Sequence, residues 1–111
     1  MRRNGRTDKN QPEIVKHLRA HGVSVQPMSS VGGGFPDLLW WFRGVYGLLE
    51  VKDPTGKHYG NQTPLTPSQV KFHEAWPGAI DIVWTEKEAL DAVMRRVNDK
   101  VSSGQLSGAG A

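Results

Sequence analysis

Between Pro36 and Lys52 the chain is almost continuously apolar, and a single polar step, Arg43-Gly44, divides the run near its middle. Two short apolar stretches separated by two residues that tolerate a tight reversal predict a β-hairpin, Pro36 to Phe42 and Val45 to Lys52. The near-continuous hydrophobicity predicts strands at the centre of a sheet, covered on both faces. If Arg43-Gly44 is a two-residue turn, Phe42 faces Val45 and counting outward brings Asp37 opposite Glu50; a three-residue loop would shift this register by one. Side chains two apart on a strand share a face, so Glu50 and Lys52 point the same way, away from Leu49 and Val51. Three charged groups then gather at one end of an otherwise apolar hairpin.

The flanking segments read as a small α/β domain. A helix is expected from Gln11 to His21, with Asn10 as N-cap, Pro12 in the first turn and an apolar stripe of Ile14, Val15 and Leu18; Gly22 stops it. Val23 to Met28 alternates like a strand, and Pro27 marks an edge or a strand end. Ser29 to Phe35 is a loop whose glycines, Gly32-Gly33-Gly34, permit unusual backbone angles and close approach of a ligand or another chain. Asp53 to Thr66 reads as a mobile polar loop holding Lys57, His58 and Tyr59. Thr66-Pro67-Ser68-Gln69 has capping-box spacing and opens a helix ending near Trp76. Ala79 to Trp84 is the last strand. Thr85 to Glu88, a second capping box, opens a final helix to about Val101. The helical crossover makes the third and fourth strands parallel, and the fold class is α/β, a mixed central sheet flanked by helices.

Length and composition bound the rest. The chain has 111 residues, which suits one domain with one core. It has no cysteine, hence neither a disulfide framework nor a thiolate metal site. No stretch approaches the ~20 apolar residues of a membrane helix, and a cytoplasmic location is expected. The net charge is +3, with the basic excess concentrated at the start: Arg2, Arg3, Arg6, Lys9, Lys16 and Arg19. Residues 1–10 read as a flexible basic arm, 11–101 as the domain and 102–111 as a disordered tail. The arm suits a polyanion. Lys57, His58 and Tyr59 are further candidate contacts to nucleic acid, although a solvated loop explains them equally well.

Opposed carboxylates destabilise a sheet unless something lies between them. Asp37 and Glu50, with the main-chain carbonyl of Val51, match the oxygen donors that Mg²⁺ or Mn²⁺ take. Lys52 beside them can hold a phosphate oxygen or orient a water. Together these groups suit hydrolysis of a phosphodiester bond. Gln69 stands in a capping box but shares a helical face with Phe72, His73 and Trp76, which are expected to pack toward the sheet; Glu13 stands in the same relation to Asn10. The histidines show no zinc pattern, and His17 and His21 are expected on the exposed side of the first helix. His73 is a candidate neighbour of the site. Trp40, Trp41, Trp76 and Trp84 read mostly as core.

Gly34-Phe35-Pro36-Asp37-Leu38-Leu39, followed by Leu48-Leu49-Glu50-Val51-Lys52, resembles the PD-(D/E)XK nucleases and, more narrowly, the stand-alone VRR-NUC domains of phages and bacteria. The resemblance runs from about Pro12 to Val97. It implies a restriction-endonuclease-like core in which Asp37 and Glu50 bind the metal and Lys52 acts in catalysis, with Gln69 and Glu13 supporting the site. It also implies a metal-dependent endonuclease acting on branched DNA such as Holliday junctions, or on duplex DNA. Cutting two strands symmetrically needs two sites, so a homodimer is the simplest assembly. The alternatives are a non-catalytic nucleic-acid-binding module of the same fold and a nuclease acting on RNA.

Overall fold

The protein is described here from a computed structural model, in which residues 9–55 and 65–103 are described. Expectations for Arg2, Arg3, Arg6, Lys57, His58, Tyr59 and residues 104–111 lie outside the described residues. The elements are α1 (Gln11–Ala20), β1 (Ser24–Pro27), β2 (Leu38–Phe42), β3 (Val45–Val51), α2 (Pro67–Ala75), β4 (Ile80–Val83) and α3 (Glu86–Ser102). The sheet runs β1-β2-β3-β4. β1–β2 and β2–β3 pair antiparallel, and β3–β4 pair parallel across α2, as the crossover requires. Among the described residues no helix is long and apolar enough to cross a membrane.

The hairpin turn has two residues. Arg43 and Gly44 take φ of 53° and 81°, the left-handed pair that matches strand twist. The register is the one the turn dictates: Phe42↔Val45, Trp40↔Gly47, Leu38↔Leu49. One step further brings Asp37, just outside β2, opposite Glu50.

One face of the sheet carries the core. Val25, Leu38, Trp40, Val45, Leu49, Val51 and Val83 pack against Ile14, Val15 and Leu18 of α1 and Ala89, Ala92, Val93 and Val97 of α3. Each large apolar side chain buried this way contributes about 1.5–3 kcal/mol. Arg96 clamps α3 to β4, its Nε and Nη2 donating to the two Asp81 oxygens at 2.9 and 3.0 Å.

The other face is covered unevenly. At its upper end α2 lies over Glu50, which is 1% exposed. Toward the hairpin turn it is open: Trp41 and Tyr46, cross-strand partners, are 52% and 67% exposed. Cover on both faces therefore holds for the site end of the hairpin and not for the turn end. Of the four tryptophans only Trp40 is buried in the core; Trp41 stands on the open face, Trp76 is 38% exposed and Trp84 is half-buried. An apolar run cannot show which of its alternating side chains a distant helix will cover.

Two caps differ from expectation. Asn10 occupies the N-cap position of α1 without a side-chain capping bond. Its Nδ2 instead donates to the carbonyls of Lys52 (3.0 Å) and Trp84 (2.9 Å), stitching α1 to the ends of β3 and β4. Thr85 Oγ1 accepts from Glu88 N–H as in a capping box, but Glu88 Oε1 accepts from Trp84 N–H, one residue before the cap. The box at α2 is complete.

Candidate active site

Asp37 enters the site from the residue before β2, held there by the ladder: its carbonyl accepts from Met28 N–H at 2.7 Å. Its side-chain Oδ2 accepts from Val51 N–H at 2.8 Å, reaching across to β3. Among the described residues no hydrogen bond reaches Oδ1. Glu50 and Lys52 share the face opposite Leu49 and Val51, as strand alternation demands. Leu49 and Val51 are fully buried in the core, which locks the rotation of β3 and hence the direction of Glu50.

Gln69 both caps α2 and reaches the Glu50 and Lys52 side chains. Its Oε1 accepts from Thr66 N–H at 2.9 Å, closing the capping box, and from Lys52 Nζ at 2.9 Å. Its Nε2 donates to Glu50 Oε2 at 3.0 Å. One side chain thus serves both the capping box and the contacts to Lys52 and Glu50, since an amide carbonyl has two lone pairs. Lys52 Nζ also stands 3.9 Å from Glu50 Oε2. A cation, an amide and a buried carboxylate are in register before any ligand arrives.

Helix α2 comes to this position through two contacts. Phe72 and Trp76 pack on Phe35 of the preceding loop, with ring centroids 5.1 and 6.2 Å away, rather than on the sheet itself. Gly34 provides the second. Its φ is 83°, and a Cβ there would stand 2.6 Å from the Ser68 carbonyl carbon and 3.1 Å from Gln69 N. The close approach that the triple glycine permits is therefore to the chain's own α2 backbone. His73, one turn beyond Gln69, faces Glu50 with Nε2 3.7 Å from Oε1. Burial, aided by the Lys52 charge, pushes the His73 pKa below the usual imidazole value and favours the neutral ring.

Glu13 is exposed on α1, and among the described residues no hydrogen bond or ion pair joins it to the carboxylates. The buried polar residue of that helix is Gln11, 4% exposed, whose Oε1 has no hydrogen-bond partner. Its place three and four residues before Ile14 and Val15 was the available signal, since that spacing continues the buried stripe. Lys9 is exposed beside Asn10. The rings of His17 and His21 lie 4.6 Å apart and are tilted by 54°; His21 is exposed, while His17 is half-buried and lies 3.8 Å from Glu86.

The donor set is hard and oxygen-rich. Among the described residues no group of three or more His, Cys, Asp or Glu side chains assembles around a metal position. Two carboxylates plus main chain and water suit Mg²⁺ or Mn²⁺, which keep several waters, better than a closed zinc cage. A nearly unexposed Glu50 carboxylate opposite Asp37 is the observation that this ion would explain, because buried like charges otherwise repel.

No protein-family model matches the sequence, and no curated protein matches it. Among solved structures the fold is similar to a VRR-NUC domain, with a TM-score of 0.58 and 27% sequence identity. The likeness covers 79% of this chain and 97% of that one. Because it takes in nearly the whole of that domain, the chain is similar in fold to a VRR-NUC domain, and its strand order and register bring Asp37, Glu50, Lys52 and Gln69 together.

Proposed function

We propose that this domain is a metal-dependent DNA endonuclease that hydrolyses phosphodiester bonds, with branched DNA such as Holliday junctions as its preferred substrate. The observation that carries the reading is the Glu50–Gln69–Lys52 chain of hydrogen bonds beside Asp37. It presents a cation donor next to acidic metal ligands, an arrangement with no evident packing purpose. Asp37, Glu50 and the Val51 carbonyl would hold Mg²⁺ or Mn²⁺. Such an ion, when bound, polarises the scissile phosphate and acidifies a water.

The chain's own residues do the rest. Lys52 Nζ, fixed by Gln69 Oε1, is aimed to hold a phosphate oxygen or to orient the attacking water. Gln69 Nε2 keeps Glu50 Oε2 from turning away. The basic residues Arg2, Arg3, Arg6 and Lys9 supply a sequence-independent grip on the phosphate backbone, and Lys57, His58 and Tyr59 are candidate contacts. A homodimer would supply two sites for paired cuts.

The test is cleavage of junction, flap, linear duplex and RNA substrates with Mg²⁺ or Mn²⁺, in the parent and Lys52→Ala. Junction cutting that falls at least about 10²-fold in the variant supports the reading, the scale expected for a positioned catalytic group. Undiminished cutting by Lys52→Ala refutes it. Exclusive RNA cleavage would instead move the substrate class.

A further inference from the structure

The two oxygens of Glu50 have different surroundings. Oε2 accepts from Gln69 Nε2 at 3.0 Å and lies 3.9 Å from Lys52 Nζ. Oε1 faces His73 Nε2 at 3.7 Å, with the Glu50 and His73 side chains 2% and 17% exposed. That His73 nitrogen is shielded from solvent and makes no hydrogen bond. A buried polar nitrogen without a hydrogen-bond partner is a costly arrangement, and native proteins keep few of them. The separation is too long for a hydrogen bond. A shift of under about 1 Å would make it one.

Sequence spacing explains why His73 is there. Residues four apart on a helix lie on one face, so Gln69 and His73 descend together toward β3. Helix α2 fully buries none of its residues. Its inward face meets Glu50 through these two polar side chains, while Phe72 and Trp76 rest on Phe35. Gln69 and His73 therefore bracket the carboxylate, one at each oxygen.

We propose that His73 is a positioning residue for Glu50: its Nε2–H closes on Oε1 and fixes the rotation in which the carboxylate meets a divalent cation. The inference rests on the metal-site reading above and adds a residue to it. Carboxylates that bind metals are themselves held by hydrogen bonds, and loss of such a partner weakens metal affinity by roughly 10- to 100-fold. His73 touches neither the substrate nor the ion.

The experiment is Mn²⁺ binding, followed by loss of the free-ion electron paramagnetic resonance signal, in the whole chain without nucleic acid. The proteins compared are the parent, His73→Leu, His73→Gln and Glu50→Gln, each with its melting temperature. His73→Leu removes the donor at similar volume and is expected to weaken Mn²⁺ binding about 10-fold or more. His73→Gln puts an amide nitrogen where the imidazole Nε2 stands and is expected to remain within about 3-fold of the parent, a small part of the loss of a whole partner. Should His73→Leu not fold, His73→Asn, whose amide is too short to reach Oε1, takes its place with the same expected loss.

Parent-like affinity in His73→Leu, or equal weakening in His73→Leu and His73→Gln, overturns the positioning role. Absence of any Mn²⁺ site sensitive to Glu50→Gln in the parent overturns the metal-site reading first, so the two failures are distinguishable.

Discussion

Gly32, Gly33 and Gly34 all have positive φ, at 78°, 65° and 83°, so alanine at any of them meets the same backbone penalty. For a non-glycine residue that penalty is about 1–2 kcal/mol. The surroundings differ. At Gly32 and Gly33 a new Cβ meets nothing within 4 Å. At Gly34 it falls 2.6 Å from the Ser68 carbonyl carbon and 3.1 Å from Gln69 N, both backbone atoms that cannot swing aside as a side chain would. Restoring a contact distance of about 3.5 Å requires the first turn of α2 to retreat by roughly 1 Å. Gln69 rides on that turn, with bonds of 2.9 Å to Lys52 and 3.0 Å to Glu50. A retreat of that size carries both past the usual limit of about 3.2 Å.

Gly34→Ala is therefore expected to cost about 1–3 kcal/mol more than Gly33→Ala, the usual range for overpacking. In a domain of this size that is a further drop of roughly 5–20 °C in melting temperature. Junction cleavage should fall about 10²-fold, as misplacement by 1 Å commonly does, while Gly33→Ala should cleave like the parent. Thermal melts and initial rates on the three alanine variants decide it. Gly34→Ala that melts with Gly33→Ala and cleaves at the parent rate would show that α2 does not owe its place to Gly34.

Two other expectations follow from the hydrogen bonds of single side chains. Asp37→Asn in EDTA should leave the melting temperature unchanged or raise it, because its amide oxygen can still accept from Val51 N–H while the charge opposite Glu50 is gone. Asp37→Ala should lower stability by about 1–3 kcal/mol, since it strands that N–H; equal melting of the two variants would deny the bond a structural role. Asn10→Ala removes both bonds to Lys52 and Trp84 and should cost about 1–3 kcal/mol by denaturant titration, with parent-like stability refuting the stitch.

The hairpin was legible because its turn contains two residues with left-handed backbone, and arithmetic from such a turn has one solution. That register carried Asp37, Glu50 and Lys52 into place together. Gln69 was legible in type but ambiguous in purpose, because capping spacing and a site-facing helix make the same demand of the sequence. Asn10 and Glu13 read as a capping pair for want of any local sign that the Asn10 amide reaches two carbonyls 42 and 74 residues away. Glu13 falls on the exposed side of α1, while Gln11 takes the buried position. The open stretch at Trp41 and Tyr46 escaped notice for a related reason. Whether a helix covers a strand face depends on where α2 starts, which is set by Gly34 and Phe35 rather than by the strand.

The parallel pairing of β3 with β4 has a consequence for the order of events during synthesis. Glu50 and Lys52 leave the ribosome well before Gln69 and His73, and the strand that closes the sheet beside them ends only at Val83. Asn10, made first, waits for Trp84 before its second bond can form. Closing such long loops precedes the contacts that reward it, so the site is completed late in folding. A chain broken off before β4 carries the acidic pair without the lysine-aligning helix fixed above it. The Glu50–Gln69–Lys52 arrangement thus arrives only with the finished domain, and a chain broken off earlier lacks the geometry on which the proposed activity rests.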